Sequence, residues 1–124
     1  MSHISKIELE VNDLSILGQA CARLGLELVG AKRSFKWYGT EAPCDHAIMV
    51  PGAQYEIGII HKNGAYELNC DFYDPGLEKV IGRNGGFLKQ AYAVEKTAVE
   101  ARRKGYSVLE RRTENGIRLH VRLS

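Results

Sequence analysis

The stretch from Tyr55 to Phe72 constrains the fold most, because two runs of alternating apolar residues flank the dipeptide Asn63-Gly64. Asn-Gly suits both positive-φ positions of a two-residue type I′ turn, whose twist matches that of the strands it joins. With that turn in place the register follows: Ile59 opposite Leu68, Ile57 opposite Cys70, and Tyr55 opposite Phe72. Every pair on that face is apolar, so a slip of one residue would turn the whole set toward water. The other face sets Gly58 opposite Asn69, Ile60 opposite Glu67, and Glu56 opposite Asp71. Two carboxylates facing each other across a ladder repel. They require solvation, a basic neighbour, or a role in acid/base or metal chemistry. The expectation is neutralisation by Arg118 or Arg122, should the last strand lie beside this hairpin.

The longest helical pattern runs from the glycine turn Arg83-Asn84-Gly85-Gly86 to Gly105 and Tyr106. Phe87, Leu88, Ala91, Val94, Ala98, Val99 and Ala101 recur at helical spacing, and Gly105 after Arg102-Arg103-Lys104 is a stop signal. Glu95 and Arg102 fall inside the apolar arc, so they either snorkel from its edge or meet a polar partner. The glycine turn is the candidate ligand site. Asn84 is placed to cap the helix, leaving the N–H groups of Gly85, Gly86 and Phe87 free for an anion, with Arg83 and Lys89 beside them. Tyr73 or Phe87 could stack a base. Neither a P-loop nor a dinucleotide fingerprint is present, and the alternative is a plain helix entry.

Ile7, Leu9 and Val11 alternate with Glu8 and Glu10 as a half-buried strand. A helix follows, capped by Asn12 or Asp13, with Leu14, Leu17, Cys21 and Leu24 on one side and Gly25 at its end. Leu26 to Tyr38 reads as one strand or two interrupted at Gly30, Gly39 to Asp45 as loop, and His46 to Val50 as a short strand turned at Pro51-Gly52. After Tyr73-Asp74-Pro75-Gly76 comes a short helical turn, Leu77 to Ile81. Ser107–Thr113 and Ile117–Leu123 form a second hairpin. A three-residue loop with Gly116 left-handed would pair Leu109 with Val121 and turn Ile117, Leu119, Val121 and Leu123 toward the helices. The pattern predicts a single α+β domain over residues 1–124, a largely antiparallel sheet with two helices on one face, in the order β-α-β-β-β-β-α-β-β. The other face is expected to be mixed and open, displaying Tyr38, Tyr73, Ile60 and arginines, which suits a homo-oligomer.

A chain of 124 residues with 44% hydrophobic and 26% charged residues has the composition of a globular protein, and no apolar run reaches membrane-spanning length. With no signal peptide at the start, a cytoplasmic setting and no membrane partner are expected. A net charge of +2 is mild. Arg102, Arg103, Lys104, Arg111, Arg112, Arg118 and Arg122 thicken the C-terminal part without making nucleic acid the expected partner. Cys21, Cys44 and Cys70 read as free thiols. Cys44, His46, His61 and Cys70 lack close metal-ligand spacing, so no metal and no cofactor are expected.

The opening Met1-Ser2-His3-Ile4, the block Tyr55–Ile59 with Asn63–Leu68 and Asp71, the helix Phe87-Leu88 through Tyr92-Ala93 and Lys96, and the ending Gly105–Val108 with Gly116–Leu119 together resemble the hypothetical chloroplast reading frame 35 family. That is a domain-of-unknown-function family of plastids, cyanobacteria, other bacteria and phages. The chain departs from its pattern at Phe72-Tyr73, where tryptophans are expected, and at Ala91, where a basic residue often precedes the tyrosine. The resemblance implies the fold and compartment, adds Tyr92 to the ligand-site residues, and names no reaction. The resulting expectation is a small, self-associating, non-enzymatic binding or assembly protein. The alternatives are a nucleotide- or phosphate-binding protein or small enzyme using residues 83–89 and the Glu56/Asp71 pair, and nucleic-acid binding through the basic C-terminal hairpin.

Overall fold

The computed structural model describes residues 4–37 and 40–123. Within it the chain runs β1 (Ser5–Val11), α1 (Leu14–Arg23), β2 (Glu27–Val29), β3 (Ser34–Trp37), β4 (Thr40–Pro43), β5 (His46–Met49), β6 (Ile57–Lys62), β7 (Ala65–Cys70), α2 (Pro75–Ile81), α3 (Gly86–Arg103), β8 (Ser107–Thr113) and β9 (Gly116–Arg122). The architecture is α+β. Five antiparallel strands form the main sheet in the order β1-β7-β6-β5-β2, and β3-β4 and β8-β9 are separate two-stranded ribbons.

Asn63-Gly64 turns the β6–β7 hairpin, with Asn63 and Gly64 both at positive φ, and sets Ile59 against Leu68, Ile60 against Glu67 and Gly58 against Asn69. The ladder ends at that last pair, so Glu56 and Asp71 do not face each other across it as the extended register had them. Instead the Glu56 N–H donates to the Lys36 carbonyl on β3. Asp13 caps α1, its side chain accepting from the N–H groups of Ser15 and Ile16 at 2.8 and 3.3 Å. Gly25, at φ +73°, ends that helix while Leu26 N–H reaches back to the Cys21 carbonyl.

The three helices cover one face of the main sheet. Ile7, Ile48, Ile57, Ile59, Leu68 and Cys70 form the strand side of this core, Ile16, Leu17, Leu77, Ile81 and Leu88 the helix side. Gly58 alternates with Ile57 and Ile59 and so looks out of the opposite face. A Cβ there would lie 2.3 Å from Phe35 Cδ1, so the missing side chain is what lets the β3-β4 ribbon lay its buried aromatic ring on the sheet. That face is therefore partly covered rather than open.

Several expectations are corrected. Leu26 to Tyr38 divides into β2 and β3, and the segment 39–45, expected as loop, supplies β4. Tyr38 lies outside the described residues, as do Met1-Ser2-His3. The turn at Leu77 to Ile81 is a seven-residue helix started by Pro75, with Asp74 as its cap. The last hairpin does not join the sheet. Its turn is Glu114-Asn115, which pairs Thr113 with Gly116, Val108 with Val121 and Leu109 with His120. Ile117 and Leu119 are half-buried toward α3, whereas Val121 and Leu123 are exposed.

Candidate ligand cleft

The entry to α3 is made by backbone conformations that glycine and asparagine tolerate. Gly82, Asn84 and Gly85 all have positive φ, and Arg83–Gly85 form a single 3-10 turn. Gly85 is pressed onto β1, where a Cβ would stand 2.9 Å from Ile7 Cγ2. Gly82 lies under the backbone of Phe87, whose N would be 2.8 Å from a Cβ at that position. The helix thus begins at Gly86 with Gly85 as its cap residue and no side-chain cap bond. The N–H groups of Gly85 and Gly86, expected to be free for an anion, instead donate to the carbonyls of Gly82 and Arg83, because the 3-10 turn folds back beneath them. Asn84, expected to cap it, does not: in the left-handed conformation at φ 55° it belongs to the turn.

This start, which has no side-chain cap, opens onto a cleft of about 730 Å³ between α1, α3 and the turn of the β8-β9 hairpin. Arg83, Gly86, Phe87 and Gln90 line it from the helix side, Arg23 from the end of α1, and Arg112 and Glu114 from the hairpin. Phe87, expected on the apolar stripe, is 54% exposed and forms part of the wall. Gly116, at φ +136°, brings the turn against the helix: a Cβ there would come within 2.4 Å of Gln90 Nε2.

The hairpin is held over the cleft by Arg23. Its Nη1 and Nη2 donate to Glu110 Oε1 and Oε2 at 2.5 and 2.6 Å, while Nε donates to Glu95 Oε1 at 2.5 Å. Glu95, whose place in the apolar arc was unexplained by the helix alone, therefore has a cation from α1. The forked bond to Arg23 draws the Glu110 carboxyl below its ordinary value against the opposing effect of burial, with Arg112 and Arg102 adding attraction. The same bond raises Arg23 above its ordinary range. Arg23 is thus occupied by two carboxylates, leaving Arg83 and Arg112 as the cations in the cleft wall without an ion pair among the described residues.

Of the residues assigned to the site from sequence, the cleft gathers Arg83 and Gly86. Asn84 and Gly85 are in the supporting turn, Lys89 is outside the lining, and Tyr92 is buried, its hydroxyl accepting from the Asn12 N–H at 3.3 Å. The polar set Glu56, Asp71, Arg118, Arg122 does not assemble. Glu56 is buried and accepts from Lys32 Nζ at 3.1 Å and from the Lys36 N–H at 2.8 Å, tying β3 to the sheet. Asp71 Oδ1 accepts from the Tyr73 N–H at 3.0 Å, and its buried Oδ2 has no hydrogen-bond partner among the described residues. Arg118 and Arg122 are exposed on β9. Arg23 and Gln90 join the cleft with no local signal in the sequence, and Arg112, one of the C-terminal basic residues, reaches it only through the position of the hairpin.

The three cysteines, His46 and His61 have structural explanations. Burial pushes the Cys21 and Cys70 thiols up to about 12, and Cys44 Sγ donates to the Lys32 carbonyl. His46 Nδ1 accepts from the Ala31 N–H, and His61 stacks on Tyr66 with ring centroids 4.8 Å apart. No helix is long and apolar enough to cross a membrane, among the described residues. The chain matches no protein-family model, no curated protein and no solved structure.

Proposed function

We propose that this is a small binding protein whose cleft between the start of α3 and the β8-β9 turn takes an anionic small molecule, a nucleotide or a phosphorylated metabolite. One observation carries the reading: Arg83 and Arg112, drawn from different elements, line the same cleft as the start of an 18-residue helix and the exposed ring of Phe87. The positive end of the helix dipole attracts negative charge. Arginine forks add charge-assisted bonds that suit phosphate, and an aromatic face can stack a base. The reading assigns binding, with no nucleophile and base named for a reaction. Kinship with the chloroplast reading frame 35 family, carried by the residues quoted above, is part of this proposal.

Self-association is a second reading, favoured by the β8-β9 ribbon. Leu109, Val121 and Leu123 are 54%, 44% and 72% exposed there, and each strand has one ladder edge without a partner among the described residues. Unpaired edges flanked by apolar side chains are pairing surfaces. Native mass spectrometry of freshly purified protein examines both readings. Retention of an anionic mass released on denaturation supports the cleft, and a dimeric mass supports the ribbon. A bare monomer that takes up none of a panel of added nucleotides and phosphates removes both.

A further inference from the structure

The net charge of +2 conceals an uneven distribution. In an antiparallel ribbon directly opposed residues share a face. The register therefore puts Val108, Glu110, Arg112, Ile117, Leu119 and Val121 on one side of β8-β9. This is the side whose Val108, Ile117 and Leu119 are half-buried and whose Glu110 is gripped by Arg23. The other side, turned away from the body, carries Arg111 directly opposite Arg118, with His120 and Arg122 further along β9 and Leu109 across from His120. No carboxylate is among its residues, and no ion pair engages Arg111, Arg118 or Arg122 among the described residues. Like charges opposed across a ladder cost stability unless something outside neutralises them.

We propose that this outward face of the β8-β9 ribbon is a sequence-independent nucleic-acid contact, with the guanidiniums of Arg111, Arg118 and Arg122 seated on backbone phosphates. Three features favour nucleic acid over another polyanion. The cations of this face are all arginine, and arginine's planar fork fits phosphate oxygens in pairs. Along β9 the basic residues recur at every second position, a spacing of about 6.8 Å, which forms a regular row suited to a regular row of phosphates. A two-stranded ribbon also has the cross-section that a duplex major groove admits. The face has one exposed large apolar residue, Leu109, too little to insert into a bilayer. The contacts reach phosphates rather than base edges, so affinity is set by salt and charge and carries little sequence preference.

The test is fluorescence anisotropy with a labelled mixed-sequence DNA duplex, its separate strands and an RNA duplex. It compares wild type with the triple variant Arg111→Ser, Arg118→Ser, Arg122→Ser. A control triple, Lys62→Gln, Lys79→Gln, Lys96→Gln, removes the same charge elsewhere. Three phosphate contacts predict that wild-type affinity falls roughly 40-fold between about 50 and about 200 mM salt. The ribbon triple should lose most of that dependence and bind at least tenfold more weakly, while the control keeps wild-type behaviour. Circular dichroism establishes that each variant is folded. The three side chains are exposed, so their loss leaves the core intact. If both triples weaken equally, net charge rather than the ribbon is responsible and the proposal fails. It also fails if wild type binds none of the three nucleic acids, or if the ribbon triple binds as wild type does. Ribbon-dependent binding to phosphatidylserine vesicles or polyglutamate, with none to nucleic acid, would assign the face to another partner.

Discussion

Arg23 and Glu110 lie 87 residues apart in the chain and meet through two parallel hydrogen bonds of 2.5 and 2.6 Å. The pair fastens a ribbon that shares no ladder with the main sheet to the end of α1, and so sets the width of the cleft. Glu95 on α3 holds the same guanidinium from the other side. The helix pair and the hairpin therefore converge on one arginine.

Arg23→Met keeps the apolar stem and removes the fork. The expected loss is about 1 to 2 kcal/mol in the stability of the hairpin. Amide hydrogen exchange should show faster exchange across Ser107–Arg122 with the β6-β7 amides unchanged. The pH dependence follows from Glu110. Its carboxyl sits below the ordinary 4.5 in the folded state, so the unfolded chain binds that proton more readily. The contribution is complete above about pH 4.5 and is lost as pH falls through the lower folded value. In Arg23→Met this acid-dependent loosening of the hairpin should disappear.

Gly58→Ala is predicted to destabilise the protein by about 1 to 3 kcal/mol through overpacking, although alanine is ordinarily the better residue within a strand. The new methyl would stand 2.3 to 2.8 Å from atoms of the Phe35 ring. Urea denaturation of Gly58→Ala, Phe35→Ala and the double variant reads the coupling. The double variant should be more stable than the sum of the two losses allows. Additive losses would mean that the ring does not rest on Gly58.

Thiol labelling should separate the cysteines. Cys21 and Cys70 are fully buried, with thiols pushed up to about 12, whereas Cys44 is half-buried. Mass-resolved alkylation under native conditions is expected to modify Cys44 first and the other two only as the protein unfolds. Modification of all three at one rate would contradict the core as described.

What the sequence made legible was local. Asn63-Gly64 fixes the register of its hairpin through turn chemistry, and Asp13 and Gly25 mark the ends of α1 through capping. What it hid was contact between distant residues. Nothing near Glu56 in sequence points to Lys32 or to the Lys36 amide, which together replace the arginines proposed for it. Apolar pattern alone gives the wrong register for the last hairpin, because it aligns the strands as though both faced the helices within one sheet. A free ribbon leaves Val121 and Leu123 exposed and turns at Glu114-Asn115. The glycine turn was legible as a helix entry. Arg23 joined its cleft only through tertiary packing, and Phe87 left the core because Gly82 lets it fold back over the turn.

The cleft itself is tested most directly by calorimetric titration of a panel of nucleotides and inorganic phosphates. The proteins compared are wild type, the double variant Arg83→Ala, Arg112→Ala, and Lys36→Gln as a charge control outside the cleft. Gly86→Ala can be added because a Cβ there meets nothing within 4 Å, so a change in binding reports the helix start rather than a clash. The account predicts that wild type and Lys36→Gln bind at least one anion of the panel alike, and that losing the two arginines weakens it by roughly tenfold or more. Binding that survives unchanged in the double variant, or no binding by wild type to any member of the panel, would contradict it.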